Sequence, residues 1–353
     1  MKSKIYTELQ NFFLDTPFVL FGTGTSCALD TRFGMGALQQ YLENEFSTLS
    51  GVMLEEWQAV LDKLNNGIDF ENSMNEVNST ELINRIVENT ANFVASIDKE
   101  YSTQILDGKV SWSLRKIINK LFNSIGENQV LNVATPNYDL LCEYSLVSDN
   151  IAYCTGFSGG VIKHLDWEKS CNHHQHITPS TGRRPPRKAL KKHIKFYKPH
   201  GSLNTFLYKD KVVESDIWTH SKPFTVERIL ITPGLSKYEK LHEHRTSLLS
   251  AYDAAVNGSS SFLFLGFGFN DMQLVNGTIK NKIQNNKNNA LVITRDLNER
   301  IEEWMNSSEN MWVICKQDSN DNARVFNKKL GSWYELDINL WEFSVFSKEI
   351  LGT

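Results

Sequence analysis

The sequence predicts an α/β protein built on an open, doubly wound parallel sheet that carries a large helical insertion. Short apolar runs of strand length recur along the chain, and several of them end in a glycine turn. Such continuous runs are typical of strands that are buried on both faces of a parallel sheet. Helix-length segments with apolar residues at three- and four-residue spacing lie between several of the runs, and this alternation favours a parallel sheet.

The first core strand is predicted within residues 17–26, where the apolar run breaks into a glycine turn. The same pattern predicts further strands of this sheet at 130–135, 229–233, 262–266 and 290–294. Two segments have the apolar spacing of helices that pack on a sheet, namely 241–256 and 272–283.

Two stretches depart from this alternation. Residues 38–128 contain three sets of apolar residues with helical period and no convincing strand, which predicts a helical insertion between the first two core strands. Residues 155–195 are polar, basic and interrupted by glycine and proline, which predicts a loop or mobile insertion. We assign residues 1–353 to one domain that carries both insertions.

Composition and charge exclude several classes of protein. Of the 353 residues, 41% are hydrophobic, which is enough for a packed core and excludes an intrinsically disordered chain. The net charge of −4 excludes a polycation that coats nucleic acid or an anionic membrane. The longest apolar run, 261–269, is far shorter than the roughly 20 residues that cross a bilayer.

The cysteines and the first residues predict the compartment. The five cysteines are odd in number and scattered, and no CxxC pair occurs, so a disulfide framework is not expected. Residues 1–20 lack the pattern of a secretory signal peptide. We therefore expect a cytoplasmic protein with no membrane segment.

Polar or glycine-rich segments follow several predicted strands, where ligands bind in open α/β sheets. The turn from Gly22 to Ser26 would let the backbone approach a phosphate, although a turn without a ligand fits equally well, since Cys27 replaces the third glycine of the common dinucleotide motif. Asn137 could hold a ribose hydroxyl or a water, or it could cap the next helix together with Asp139.

Two more segments of this kind lie later in the chain. His200 follows an extended run and precedes a glycine, so it could act as a general base or be a hydrogen-bonded loop residue. The segment Gly266-Phe267-Gly268 forms a second strand-to-glycine junction of the kind that contacts phosphate or ribose.

Taken in order, the four segments resemble the motifs of the sirtuin-like family. The first turn is similar to its Gly-Ala-Gly-x-Ser loop, residues 135–139 to its Thr-x-Asn-x-Asp segment, and 200–201 to its catalytic His-Gly. The resemblance implies a Rossmann-like, NAD-binding fold that breaks the bond between nicotinamide and ribose. It implies Asn137 and His200 as catalytic residues. The NAD⁺-binding residues that it implies are Gly22, Thr23, Gly24, Ser26, Asp30, Thr135, Asp139, Gly266 and Gly268.

The sequence also departs from the deacylases of that family. Their zinc module uses two CxxC pairs, which are absent here, so no metal is expected. Asp30-Thr31-Arg32 matches their Asp-Phe-Arg only loosely, and the helical segment is atypical of them. These features resemble bacterial sirtuin-like NAD⁺ hydrolases of antiphage defence, which implies an NAD⁺ glycohydrolase (NADase) that causes abortive infection. An NAD-dependent protein deacylase and a non-catalytic nucleotide-sensing or DNA-associated module remain alternatives.

The residues alone do not decide which partners bind or what two further segments do. The resemblance implies a homo-oligomer and a partner such as a HerA-type ATPase or an Argonaute-like protein. The basic stretch 183–195 could contact nucleic acid or an acidic partner, or form a solvated insertion. The crowded group Cys171, His173, His174 and His176 could bind a metal or form a polar loop.

Overall fold

The computed structural model describes residues 1–68, 70–74, 77–178, 187–230, 238–275 and 277–353. The helices are α1 (Lys2–Phe12), α2 (Gly24–Cys27), α3 (Met35–Glu45), α4 (Val52–Asn65), α5 (Phe70–Met74), α6 (Thr80–Leu106), α7 (Arg115–Ser124), α8 (Leu141–Ser148), α9 (Trp167–Asn172), α10 (Tyr238–Gly258), α11 (Gly277–Lys280), α12 (Glu299–Ser307) and α13 (Phe343–Glu349). The strands are β1 (Phe18–Phe21), β2 (Val130–Ala134), β3 (Tyr153–Cys154), β4 (Phe157–Gly159), β5 (Lys163–Leu165), β6 (Gln175–Thr178), β7 (Arg187–Leu190), β8 (His193–Tyr197), β9 (Gly201–Tyr208), β10 (Lys211–Glu214), β11 (Glu227–Leu230), β12 (Ser261–Leu265), β13 (Asn289–Ile293), β14 (Met311–Lys316), β15 (Ala323–Phe326) and β16 (Tyr334–Glu335).

The main sheet has the strand order β16-β15-β14-β13-β12-β1-β2-β8-β3. The strands from β14 to β3 in this order pair in parallel, and β15 and β16 add an antiparallel edge. The predicted strands β1, β2, β12 and β13 are confirmed at the centre of the sheet. All four residues of β1 are buried, as expected for a strand covered on both faces.

Helices cover both faces of this sheet, which confirms the doubly wound α/β fold. One face packs against α1, α7, α8 and α13, and the other against α10, α11 and α12. The side chains of β1 alternate between the two cores, with Val19 and Phe21 facing the first and Phe18 and Leu20 the second. Polar caps fix several helix starts, and the Asn298 side chain, for example, accepts the Ile301 N–H at 2.9 Å at the start of α12.

The chain reverses its direction of strand addition at β1. From β1 it proceeds to β2 on one side of the sheet, whereas β12 lies on the other side of β1. In open α/β sheets, ligands bind beyond the carboxyl ends of the strands at such a switch point. The turns that follow β1 and β12 therefore occupy the expected place of a ligand.

Between β1 and β2 the chain forms α2 to α7. Helices α3, α4 and α6 share a separate apolar core that includes Phe46 and Trp57, whose rings meet edge to face at 4.9 Å. We call α3 to α6 the helical layer. Asp98 of α6 is fully buried and its Oδ1 accepts the N–H of Leu140 at 2.7 Å, while its Oδ2 accepts the Tyr144 hydroxyl and the His220 ring.

Two predictions about the middle of the chain are wrong. The apolar run at 229–233 does not join the parallel sheet, because its described part, β11, pairs antiparallel with β9 in a second sheet of order β11-β9-β10-β5-β4. The stretch 155–195 is not a loop where it is described, because it forms β4, β5, α9, β6 and β7. Gly159, with φ of 147°, serves the tight turn of the β4–β5 hairpin, so this glycine organises a short strand pair rather than preventing one. Residues 179–186, which include all three prolines of the stretch 155–195, lie outside the described residues.

Candidate active site

Three predicted glycines meet where β1 and β12 end. The Gly24 N–H donates to the Gly266 carbonyl at 3.0 Å, and the Gly22 N–H donates to the Leu265 carbonyl at the same distance. A Cβ at Gly22 would lie 2.7 Å from the Gly266 oxygen, and one at Gly24 would lie 2.9 Å from the Gly266 Cα. Gly266 itself has a φ of +54°, which favours glycine. The glycines therefore allow the two backbone turns to contact each other. The fold requires glycine at these positions whether or not a ligand binds.

We expect Gly24→Ala to destabilise the protein by about 1–3 kcal/mol, because the new methyl group meets backbone that has no side-chain freedom to move away. Gly36→Ala in α3 is the matched control, since no atom lies within 4 Å of its added Cβ. The control should stabilise the helix by about 0.5–1 kcal/mol. Chemical denaturation of both variants measures the difference, and equal free energies of unfolding would contradict the prediction.

Asn137 is fixed by its amide nitrogen. Its Nδ2 donates to the Gly22 carbonyl at 3.2 Å and to the Ser26 Oγ at 3.0 Å, and its backbone N–H donates to the Thr135 Oγ1 at 3.1 Å. With both amide N–H groups engaged, the acceptor Oδ1 is buried and has no hydrogen-bond partner among the described residues. Asn137 does not cap α8; the Asp139 Oδ1 accepts the N–H of Leu141, the first residue of that helix, at 3.3 Å. Asn137 supplies a pre-oriented acceptor to the site instead.

Asp139 and Ser26 continue this hydrogen-bonded chain into the core. The Ser26 hydroxyl donates to the Asp139 Oδ2 at 2.8 Å, and the Lys198 ammonium donates to the Asp139 carbonyl at 2.6 Å and to the Glu143 Oε1 at 2.8 Å. The Lys198 ammonium also donates to the Ser202 Oγ at 3.0 Å. Burial raises the pKa of Asp139 even though the Lys198 charge opposes the rise. Asp139 is therefore buried and fixes the loop of Asn137 through its bonds to Ser26 of α2 and to Lys198, which follows β8.

The buried Lys198–Glu143 pair makes stability depend on pH. Burial raises the pKa of Glu143 to about 7, although the charge and hydrogen bond of Lys198 oppose the rise. Because the folded pKa of Glu143 lies above its unfolded value, the contribution of Glu143 to the free energy of unfolding is complete below the unfolded pKa. This contribution is lost as the pH rises through about 7. We expect Glu143→Gln, which retains the acceptor for Lys198, to flatten the fall in thermal midpoint between about pH 5 and 8. Parallel profiles for the two proteins would contradict the assignment.

His200 is held through one ring nitrogen. Its Nε2 bonds to the Asp271 Oδ2, and its Nδ1 is buried without a partner in the described part of the chain. The Asp271 Oδ1 accepts the N–H groups of Gln273 and Leu274 at 3.0 and 3.2 Å. Burial alone would raise the pKa of Asp271, but the His200 hydrogen bond and charge outweigh it, and the net pKa is lowered. The carboxylate thus leaves Nδ1 as the free, basic side of the ring.

Hydrogen bonds between neighbouring residues join the segment of Asn137 to the segment of His200. The Leu203 N–H donates to the Tyr138 carbonyl at 2.9 Å, and the Ser202 hydroxyl donates to the same oxygen at 3.3 Å. The Thr135 N–H donates to the Tyr197 carbonyl at 3.0 Å, which aligns the ends of β2 and β8. The structure therefore connects the glycine turn, the asparagine loop and the histidine loop through direct hydrogen bonds.

Three predicted binding residues stand apart from this network. Asp30 accepts hydrogen bonds from the Arg32 guanidinium and the Tyr101 hydroxyl, and both of its carboxylate oxygens are engaged. Thr23 is exposed at the start of α2. Gly268 lies beside Asn298, whose amide donates to the Gly268 carbonyl at 2.7 Å. None of the three contributes a hydrogen bond to Asn137 or His200 in the part of the chain that is described.

A cavity of about 580 Å³ adjoins the glycine turns. This volume is within the range of small-molecule and cofactor sites. Its lining includes Gly24, Cys27, Ser113, Gly266, Arg295 and Trp341. The cavity therefore adjoins two of the predicted glycines, and the C-terminal residues 341–344 form one of its walls.

The sequence alone did not reveal several of these residues. Asp271 lies 71 positions from His200, and Lys198 reaches Glu143 across 55 positions, so only the fold brings the pairs together. Arg295 and Trp341 carry no motif, and their part in the cavity follows from the carboxyl end of β13 and from the C-terminal segment.

Within the described ranges, the chain holds neither a cluster of metal-ligating side chains nor a helix suited to a membrane. No group of three or more His, Cys, Asp or Glu side chains there is arranged to hold a metal ion. In the same ranges, no helix combines the length and the apolar character needed to cross a bilayer.

Comparison with known proteins gives one family. A family model described as a SIR2-like domain matches residues 131–324, more than half of the chain. The matched range contains Asn137, Asp139, His200, Gly266 and Asp271, while the first glycine turn precedes it. No curated protein matches the chain significantly.

Proposed function

This chain belongs to the SIR2-like domain family, whose members are generally NAD-dependent enzymes, and from this premise we propose that it is an NAD⁺ glycohydrolase. It would cleave NAD⁺ into nicotinamide and ADP-ribose. The observation that carries the proposal is a pair of buried polar atoms without a partner among the described residues, the Asn137 Oδ1 and the His200 Nδ1. Hydrogen bonds join their loops, and the other polar atoms of the two side chains are bonded to Gly22, Ser26 and Asp271. Buried polar atoms normally have partners, so these two fit the hydroxyl groups and water of a bound ribose.

The family substrate fits the arrangement of the site. The cavity of about 580 Å³, whose lining includes Gly24 and Gly266, would take the adenosine half of NAD⁺, and the pyrophosphate would lie against the turn from Gly22 to Ser26. The nicotinamide ribose would then lie toward Asn137 and His200. Two observations support this placement: the cavity adjoins Gly24, and the Asn137 amide donates to the carbonyl of Gly22 in the same turn.

The mechanism follows from which atoms remain free. Nicotinamide carries a positive charge in NAD⁺, so the bond to ribose breaks to give a neutral leaving group and an oxocarbenium-like ribose. The Asn137 Oδ1 accepts a hydrogen bond from the incoming water or a ribose hydroxyl and orients it. The His200 Nδ1 takes the proton as the oxygen attacks, and Asp271 stabilises the imidazolium that results.

The test is incubation of the purified protein with NAD⁺ and separation of the products by chromatography. We expect equal amounts of nicotinamide and ADP-ribose without any peptide, and none from a His200→Ala, Asn137→Ala double variant. Nicotinamide release that requires an acyl-lysine peptide would make the protein a deacylase. Tight binding of ADP-ribose without turnover, alone or with a partner, would make it a binding module.

Asp271→Asn tests how the histidine is oriented. An amide can donate to the Nε2 and favour the other tautomer, which places the proton on Nδ1 and removes the base. We expect kcat to fall by about 10–100-fold with little change in KM, because Asp271 acts through His200 rather than on the substrate. A kinetic comparison across pH measures this, and an unchanged kcat would remove Asp271 from the mechanism.

The biological role that we propose is an NAD⁺-depleting effector of antiphage defence, which rests on the resemblance of the sequence to such hydrolases. Measuring cellular NAD⁺ after phage infection tests it. Wild type should deplete NAD⁺ and the Asn137→Ala variant should not, whereas equal NAD⁺ levels in both would contradict the role.

A further inference from the structure

Two cysteines outside the candidate active site lie against each other where β3 meets α9. Cys154 ends β3 and Cys171 lies in α9, and their Sγ atoms are 3.8 Å apart with both thiols free. A disulfide has an S–S length of about 2.05 Å, so the two sulfurs are already in contact and need little further approach. We propose that Cys154 and Cys171 are a reversible dithiol–disulfide pair that responds to peroxide, with Cys171 oxidised first.

The surroundings of the two sulfurs differ, which sets the order of oxidation. The hydrogen bond with Cys154 lowers the pKa of Cys171 most, and the neighbouring His193 ring and Lys195 ammonium lower it further. The pKa of Cys154 is raised in turn by its hydrogen bond to Cys171 and by burial. One proton is therefore held on Cys154 while Cys171 has the character of a thiolate, which is the reactive form.

Access also distinguishes Cys171. It is half-buried and lines a cavity of about 380 Å³ together with Trp167 and Lys195, whereas Cys154 is 4% exposed. A peroxide molecule is little larger than water, so this cavity admits it. Burial raises the pKa of the other three thiols, Cys27, Cys142 and Cys315, and makes them poor nucleophiles.

The oxidation balances with hydrogen peroxide as the oxidant. The Cys171 thiolate attacks one peroxide oxygen, the S–O bond forms, the O–O bond breaks, and hydroxide leaves and takes up a proton as water. The Cys154 sulfur then attacks the Cys171 sulfenic acid, the S–S bond forms, and the S–O bond breaks to release a second water that carries the Cys154 proton. Two thiols are oxidised and one peroxide is reduced.

The experiment counts and maps thiols in the full chain. Protein treated with hydrogen peroxide is denatured, alkylated and digested, beside an untreated sample. We expect three alkylated cysteines instead of five, a peptide that joins Cys154 to Cys171, and recovery of all five after dithiothreitol. Five alkylated cysteines after peroxide, or a disulfide that joins other cysteines, would overturn the proposal.

Serine variants test the order of oxidation, and circular dichroism confirms that each one folds. Cys154→Ser should stop at a sulfenic acid on Cys171 that dimedone traps. Cys171→Ser should leave Cys154 reduced, with a reaction at least about 10-fold slower. Cys27→Ser, the matched control on a half-buried unpaired thiol, should form the disulfide at the wild-type rate. Dimedone labelling of Cys154 first, or bound zinc that protects both thiols, would overturn the assignment.

Discussion

Replacing His200 by alanine is expected to lower the rate of NAD⁺ hydrolysis by about 10²–10⁴-fold, because it removes the ring nitrogen that has no partner among the described residues and serves as the proposed base. Asp271 loses its bond to the ring but keeps the N–H groups of Gln273 and Leu274, so its loop should stay in place. Nucleotide affinity, measured by calorimetry, should remain within a few-fold of wild type. The effect should therefore appear in kcat rather than in KM.

The matched control for this variant is His164→Ala, which removes an exposed histidine of β5 from the second sheet. It should hydrolyse NAD⁺ at the wild-type rate. If His200→Ala also keeps activity within a few-fold of wild type, His200 has no part in the reaction. Thermal melting of both variants separates a catalytic loss from misfolding.

Replacing Asn137 by alanine is expected to lower kcat by about 10²–10³-fold, because the oriented acceptor is lost from the reacting end of the site. Affinity should fall little, since Asn137 is proposed to act on the reacting ribose and its water rather than on the adenosine half. Its amide also donates to Gly22 and Ser26, so a small drop in thermal midpoint should accompany the loss. Turnover, calorimetry and melting together measure these three effects.

Asn44→Ala on the exposed face of α3 is the matched control, and we expect no change in kcat or affinity. Gly24→Ala should behave differently from Asn137→Ala. The glycine variant should lower the free energy of unfolding, and any loss of activity should follow from that lower stability. If Asn137→Ala abolishes NAD⁺ binding while it retains the fold, Asn137 is a binding residue and the assigned role is wrong.

The sequence predicted the centre of the main sheet well and its surroundings poorly. The runs within β1, β12 and β13 are almost continuously apolar because both faces of these strands are covered, and such runs are recognisable in isolation. The run at 229–233 is also apolar, but its described part belongs to β11, which pairs with β9, and no local property distinguishes the two sheets. Strand partners are chosen by tertiary contacts, which a single sequence does not contain.

Part of the candidate site could be proposed from the sequence. Motif order pointed to Asn137 and His200 as candidates, since each follows a strand at the edge where ligands bind in open α/β sheets. Which atom of each side chain stays free could not be predicted, because it depends on Gly22, Ser26 and Asp271, which are 115, 111 and 71 positions away. The sequence showed that Gly22 and Gly266 follow strands, but the close contact between their turns appears only once β1 and β12 are neighbours.

The buried carboxylate of Asp98 has a consequence for any attempt to trim this protein to a minimal catalytic unit. It belongs to the helical layer, yet it accepts the N–H of Leu140, three residues beyond Asn137, and also the Tyr144 hydroxyl of α8. A shortened chain that lacks α3 to α6 would leave this N–H and this hydroxyl without their acceptor in the protein interior. The helical layer thus supports the loop of Asn137 and the start of α8, and a shortened chain that keeps this loop in place must retain α6.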